Sequence, residues 1–248
     1  MLDQENIIVI ENLSKTFPGA IEPSIKNLSF SIKRNEVFGL LGTNGAGKTT
    51  TISILCGIIP PSSGTILLDG SPLKIDSVKI KNMLGVVPQD IALYPLLSAR
   101  ENLYFFGKMY GLKGKDLDDR IEYWLDKFNM TKHADRNISK YSGGMKRRIN
   151  LIAGIMHEPK ILFLDEPTVG VDVQSRNEII NQLREVNQKG TTIIYTSHHM
   201  EEAEDFCTHI AIIDKGEMMA QGTPNELINS NNGMTKLENV FLHLTQSN

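Results

Sequence analysis

The segment Gly42-Thr43-Asn44-Gly45-Ala46-Gly47-Lys48-Thr49 constrains this chain more than any other, because such a loop works only between a buried strand and a helix. Both flanks are present. Val37-Phe38-Gly39-Leu40-Leu41 is an unbroken apolar run that reads as a strand covered on both faces, and residues 50–56 read as a helix closed by Gly57. The glycines let the backbone curl around an anion, so that N–H groups and the positive end of the helix dipole face it. Lys48 supplies a cation for phosphate oxygens, and the Thr49 hydroxyl can ligate Mg²⁺. The loop therefore predicts nucleotide binding on an α/β fold, with Gly42, Thr43, Asn44, Gly45, Ala46, Gly47, Lys48, Thr49 and Thr50 around the phosphates.

A second glycine pair, in Tyr141-Ser142-Gly143-Gly144-Met145-Lys146-Arg147-Arg148, opens another helical pattern. One nucleotide rarely needs two such devices from one subunit, so each reads as a half-site, and two copies facing each other would enclose nucleotide between them. The apolar strand Ile161-Leu162-Phe163-Leu164 then ends in Asp165-Glu166. A parallel strand delivers such residues to the carboxyl edge of a sheet, where Asp165 suits Mg²⁺ and Glu166 can orient and deprotonate an attacking water. A further β-rich run, 191–195, brings His198 and His199 to the same kind of edge, and either imidazole could donate to a phosphate or to Glu166.

With these residues in place, the chain resembles the nucleotide-binding subunit of ABC transporters over nearly its whole length. The resemblance implies that residues 42–49 are the Walker A segment, and that 161–165 are Walker B with Glu166 as catalytic carboxylate. It implies that Gln89 is the glutamine that touches Mg²⁺ and senses the membrane partner. It also implies that Asp172 belongs to the D-loop, that Phe17 stacks on adenine, and that Ser142, Gly143 and Gly144 contact the γ-phosphate in trans. Of the two histidines it favours His198 as the switch residue, because one residue separates it from Met200-Glu201-Glu202-Ala203. Tyr141 and Met145 depart from the usual Leu-Ser-Gly-Gly-Gln signature, Phe17 stands where tyrosine is common, and Val169-Gly170-Val171 replaces the usual Ser-Ala-Leu.

Together with Leu237-Glu238-Asn239-Val240-Phe241-Leu242, these motifs look most like ABC-2-type exporters of the drug- and antibiotic-resistance kind. The resemblance implies ATP and Mg²⁺, a membrane permease as partner, a second ATPase subunit in a favoured homodimer, and a cytoplasmic location against the inner face of the cell membrane. The alternative is a soluble ABC ATPase, or a nucleotide-gated regulatory module that does not drive transport.

Composition fits this reading. The chain has 248 residues, 40% of them hydrophobic and 22% charged, enough for a substantial core. No stretch approaches the roughly 18 apolar residues of a membrane helix, and Met1-Leu2-Asp3-Gln4-Glu5-Asn6 lacks the basic start of a signal peptide. Cys56 and Cys207 fit no metal spacing and read as inert thiols, and a net charge of −3 argues against a nucleic-acid footprint.

Residues 7–10, 28–32 and 65–68 read as an antiparallel β region, and parallel strands are expected near Val37, Leu84, Ile161, Thr191 and 210–213. Between Gln89 and Ile161 the period becomes helical, with a capping box at Ser98 and Glu101 and apolar stripes through Leu103 and Phe106, through Leu117, Ile121, Trp124 and Phe128, and through Met145, Ile149 and Ile152. The expected organisation is an ATPase domain over 1–229 with a helical insertion near 90–158, then a linker and terminal helix over 230–248 whose apolar face needs a surface. Lys146-Arg147-Arg148 reads either as a solvated helix face or as a contact for nucleotide or the opposite subunit.

Overall fold

Period-two alternation shapes the amino-terminal part of the computed structural model, where strand Asn6–Lys15 (β1) pairs antiparallel with Ile25–Lys33 (β2), setting Ile8 opposite Ile32 and Ile10 opposite Phe30. The structure describes residues 5–74, 77–231 and 233–246; Met1 to Gln4 of the sequence start discussed above, and Asn232 of the expected linker, lie outside them. After β2 come β3 (Val37–Gly42), α1 (Lys48–Leu55), β4 (Ser63–Leu68), the two-residue β5 (Ser71–Pro72), α2 (Val78–Met83) and β6 (Leu84–Val87). The helical stretch holds α3 (Ala99–Met109), α4 (Gly114–Lys127) and α5 (Gly143–Ile155). The remainder is β7 (Ile161–Asp165), α6 (Val173–Gln188), β8 (Thr192–Thr196), α7 (Met200–Phe206), β9 (His209–Asp214), β10 (Glu217–Gly222), α8 (Pro224–Asn229) and α9 (Leu237–Gln246).

The chain divides into two units, Met1–Lys81 with Thr192–Asn248, and Asn82–Thr191. In the first, an antiparallel sheet runs in the order β2-β1-β4-β5, as the alternating segments predict. Beside it, β3 pairs parallel with both β8 and β9, and every residue of β3 and β8 is buried. That accounts for the apolar run from Val37 to Leu41 in β3, since a strand covered on both faces has no solvent side to mark with polar residues. β10 adds an antiparallel edge to β9. The terminal helix α9 buries Leu237 and Val240 against α7 and α8 of its own chain. Lys236 pairs with Glu201, and the Leu237 N–H donates to Glu204, so Leu237 and Val240 find their surface within this unit, while Phe241 and Leu244 are half-buried.

In the second unit β6 and β7 pair in parallel, with Leu84 opposite Ile161 and Val87 opposite Leu164. α5 packs on β6, α3 and α6, and α3 on α4. The Ser98 capping box forms as the sequence predicts: its oxygen accepts from the Glu101 N–H, and the Glu101 carboxylate accepts from the Ser98 N–H. Leu117, Ile121, Trp124, Leu125 and Phe128 form a buried stripe on α4, each worth about 1.5–3 kcal/mol on burial. Met145, expected inward on α5, is only half-buried, whereas Ile149, Ile152 and Met156 are buried.

Candidate nucleotide site

The residues proposed to bind nucleotide fall in both units. In the first, the loop between β3 and α1 is held by Thr43, whose hydroxyl donates to Asp214 at the end of β9 over 2.6 Å. Lys48 is buried, and its ammonium donates back to the carbonyls of Gly42 at 2.8 Å and Thr43 at 3.0 Å. Gly47 caps α1 with φ 105, a left-handed backbone, and a Cβ there would sit 2.6 Å from the Ser24 carbonyl oxygen. No side chain caps α1 and its first turn holds no acidic residue, so the helix start presents its backbone donors to an incoming anion. Asn44, Gly45 and Thr49 are exposed, Thr50 is half-buried and Ala46 is buried.

Phe17 is 40% exposed. The Lys15 ammonium lies 5.2 Å from its ring centroid and donates to the Pro60 carbonyl, so one face of the ring has a fixed cation. His198 and His199 are both exposed between β8 and α7, and His199 occupies the N-cap position of α7. Here Ser197 organises the turn, accepting from the His199 N–H and donating to Glu202. Burial pushes the Cys207 thiol up, which matches the inert reading of that residue.

In the second unit Asp165 ends β7, a strand buried along its whole length, and Glu166 follows as a buried residue with φ 49. A glutamate in the left-handed region is uncommon and carries strain. The Gln89 amide donates to the Glu166 carboxylate at 3.1 Å, so the structure brings together two residues that lie 77 positions apart in sequence. Ser142 caps α5 by accepting from the Met145 N–H, which puts Gly143 and Gly144 in the first helical turn. Tyr141 departs from the usual signature for a visible reason: its ring is buried and its hydroxyl donates to the His133 carbonyl at 2.5 Å. Asp172 caps α6 by accepting from the Ser175 N–H, and this bond holds its carboxyl below the usual range.

The reading of the basic cluster as a solvated helix face needs correction. Arg147 is buried, and it donates to the carbonyls of Gln89 and Val169. Arg148 bonds the Ser175 hydroxyl and Glu178. Neither arginine forms a solvated face, and these bonds lie within their own unit. Burial lowers the Arg147 pKa, while Asp90 and Glu166 act in the opposite direction.

A family model described as "ABC transporter" matches residues 25–169. The chain is 48% identical over 228 residues to the linearmycin resistance ATP-binding protein LnrL of Bacillus subtilis, covering 92% of this chain and 73% of that one. It is 38% identical over 232 residues to the Nod factor export ATP-binding protein I of Cupriavidus metallidurans, covering 94% and 76%. Among solved structures, an ATP-binding subunit of an ABC transporter superposes with a TM-score of 0.87 at 25% identity, over 96% of this chain and 99% of that one. A dimeric ATP-binding cassette bound to ADP and Pi gives 0.80 at 25% identity, over 87% and 98%.

A phosphate loop opening a helix after a buried parallel strand, on a fold shared with these cassettes, defines the class: a P-loop α/β ATPase. Within it, this chain belongs to the ABC transporter family.

Proposed function

We propose that the chain is the ATP-hydrolysing subunit of an ABC-2-type membrane exporter. The bond from Gln89 to the buried Glu166 carboxylate carries the catalytic part of this reading, since a water-activating base must be held by a partner that does not take its acceptor role away. An amide donor meets that condition. Lys48 binds the β- and γ-phosphates, the backbone from Gly42 to Thr50 wraps them, and Phe17 stacks on adenine with Lys15 behind its ring. Glu166 orients the attacking water and takes its proton, while His198 donates toward the γ-phosphate.

The Thr49 hydroxyl, the Gln89 amide oxygen and the Asp165 carboxylate are the oxygen donors that would hold Mg²⁺, which would neutralise phosphate charge when bound. Ser142, Gly143 and Gly144 of one copy close over the nucleotide of the other in a homodimer, with Asp172 at the same subunit boundary. The efflux direction is supported by similarity to relatives named for linearmycin resistance and Nod factor export. Among the described residues no helix is long and apolar enough to cross a membrane. We assign the transport path to a permease on the likeness to ATP-binding subunits of exporters. The exposed Tyr94 and Leu96, just beyond Gln89, are the surface we assign to that partner, which would hold the chain at the inner face of the membrane.

Glu166→Gln tests the assignment. It should keep ATP affinity while slowing phosphate release by roughly 10²–10⁴. A variant that turns over at the full rate removes Glu166 from its role.

A further inference from the structure

α5 contributes more than the Ser-Gly-Gly start. One turn further along, Arg147 and Asn150 are 8% and 4% exposed, and both are bonded to the segment that carries Gln89. Asn150 accepts from the Ala92 N–H at 3.1 Å and donates to the Pro88 carbonyl at 3.4 Å. Arg147 donates to the Gln89 carbonyl at 2.5 Å and, through its other terminal nitrogen, to the Val169 carbonyl at 3.3 Å. Gln89 in turn donates its side-chain amide to the Glu166 carboxylate. The Val169 N–H donates to the Glu166 carbonyl at 3.3 Å. The bonds close a ring: Arg147, Gln89, Glu166, Val169 and back to Arg147.

We infer that Arg147, with Asn150 beside it, is a positioning residue for hydrolysis, fixing Gln89 and the turn after Glu166 so that the carboxylate is held in place for water. The inference rests on the proposed role of Glu166. Arginine suits the position for geometric reasons. Its planar fork can serve two carbonyls at once, whereas the single point of a lysine ammonium serves them less well. Burial of the guanidinium itself raises what is at stake, because removing it takes the donor from both part-buried bonds at once and leaves a space where Arg147 sat. The turn it supports includes a glutamate at φ 49, a conformation that persists only where its surroundings hold it. The bonds of Arg147 run to Gln89 and Val169, so its loss should affect the chemical step and leave nucleotide affinity unchanged.

The test is steady-state phosphate release by the full chain across a titration of MgATP, for Arg147→Met, Arg147→Lys and Glu166→Gln, with a thermal melt of each. Arg147→Met should lower kcat by about 10- to 100-fold, as expected when a reacting group is misplaced by about an ångström. Its KM for ATP should stay within about twofold of the parent. Arg147→Lys should be intermediate in kcat. An Arg147→Met protein that melts earlier yet turns over at the parental kcat overturns the inference, as does one in which KM rises in step with the loss of kcat. A slow Glu166→Gln beside a fully active Arg147→Met overturns this inference alone. A fully active Glu166→Gln overturns the proposed role of Glu166 and this inference with it.

Discussion

α1 and α5 begin with the same kind of glycine-bearing turn and differ in what satisfies their first N–H groups. At α1 the cap is Gly47, in left-handed backbone and with no side chain to offer. At α5 the cap is Ser142, in extended backbone, and its hydroxyl already accepts from Met145. An anion arriving at α1 meets a helix start with no side-chain cap, and a buried ammonium held at the carbonyls of the loop before it. An anion arriving at α5 must compete with a serine oxygen. The first arrangement favours a ligand held throughout a cycle, and the second a contact made only when another molecule presents a phosphate at the right moment.

The contrast can be broken at three levels of effect. Lys48→Ala should weaken ATP binding, measured by titration calorimetry, by about 2–5 kcal/mol, while Ser142→Ala leaves that affinity unchanged. Equal losses would erase the distinction. Next, Gly47→Ala forces a Cβ into left-handed backbone and against the Ser24 carbonyl, and should cost about 1–3 kcal/mol in a denaturation series. Gly143→Ala meets nothing nearer than the Gly170 carbonyl oxygen at 3.8 Å, so it should be neutral or stabilising by up to about 1 kcal/mol. The smallest effect is Ser142→Ala, which removes a helix cap and should lower stability by about 1 kcal/mol. No loss at all would mean that the serine hydroxyl is not needed by its own helix.

The sequence displays what is local. The strands β3 and β7 are visible because burial on both faces leaves apolar runs, and β2 because burial on one face leaves alternation. The caps at Ser98 and Thr223 are visible because both partners of a capping box lie within three residues of each other. Arg147 shows the opposite case. Its neighbours Lys146 and Arg148 give it the look of a solvated cluster, while its partners Gln89 and Val169 lie 58 and 22 positions away. The one local signal is that α5 is buried almost all round from Ile149 onward, and a charged group set in such a helix needs satisfied donors. β10, with its half-buried Met218, Met219 and Ala220, offers too weak an alternation to read as a strand. The docking of α9 depends on Glu201 and Glu204, acidic residues whose partners lie 35 and 33 positions downstream.

The left-handed backbone of Glu166 has a consequence for how this protein would change under selection. Glycine and asparagine occupy φ near 49 more comfortably than glutamate does, so folding and chemistry favour different residues at this one site. A library randomised at position 166 and sorted only for yield of folded protein should drift toward glycine and asparagine, whereas the same library sorted for ATP turnover should return glutamate. A lineage freed from the need to hydrolyse ATP would therefore lose this carboxylate early, because its loss relaxes the backbone.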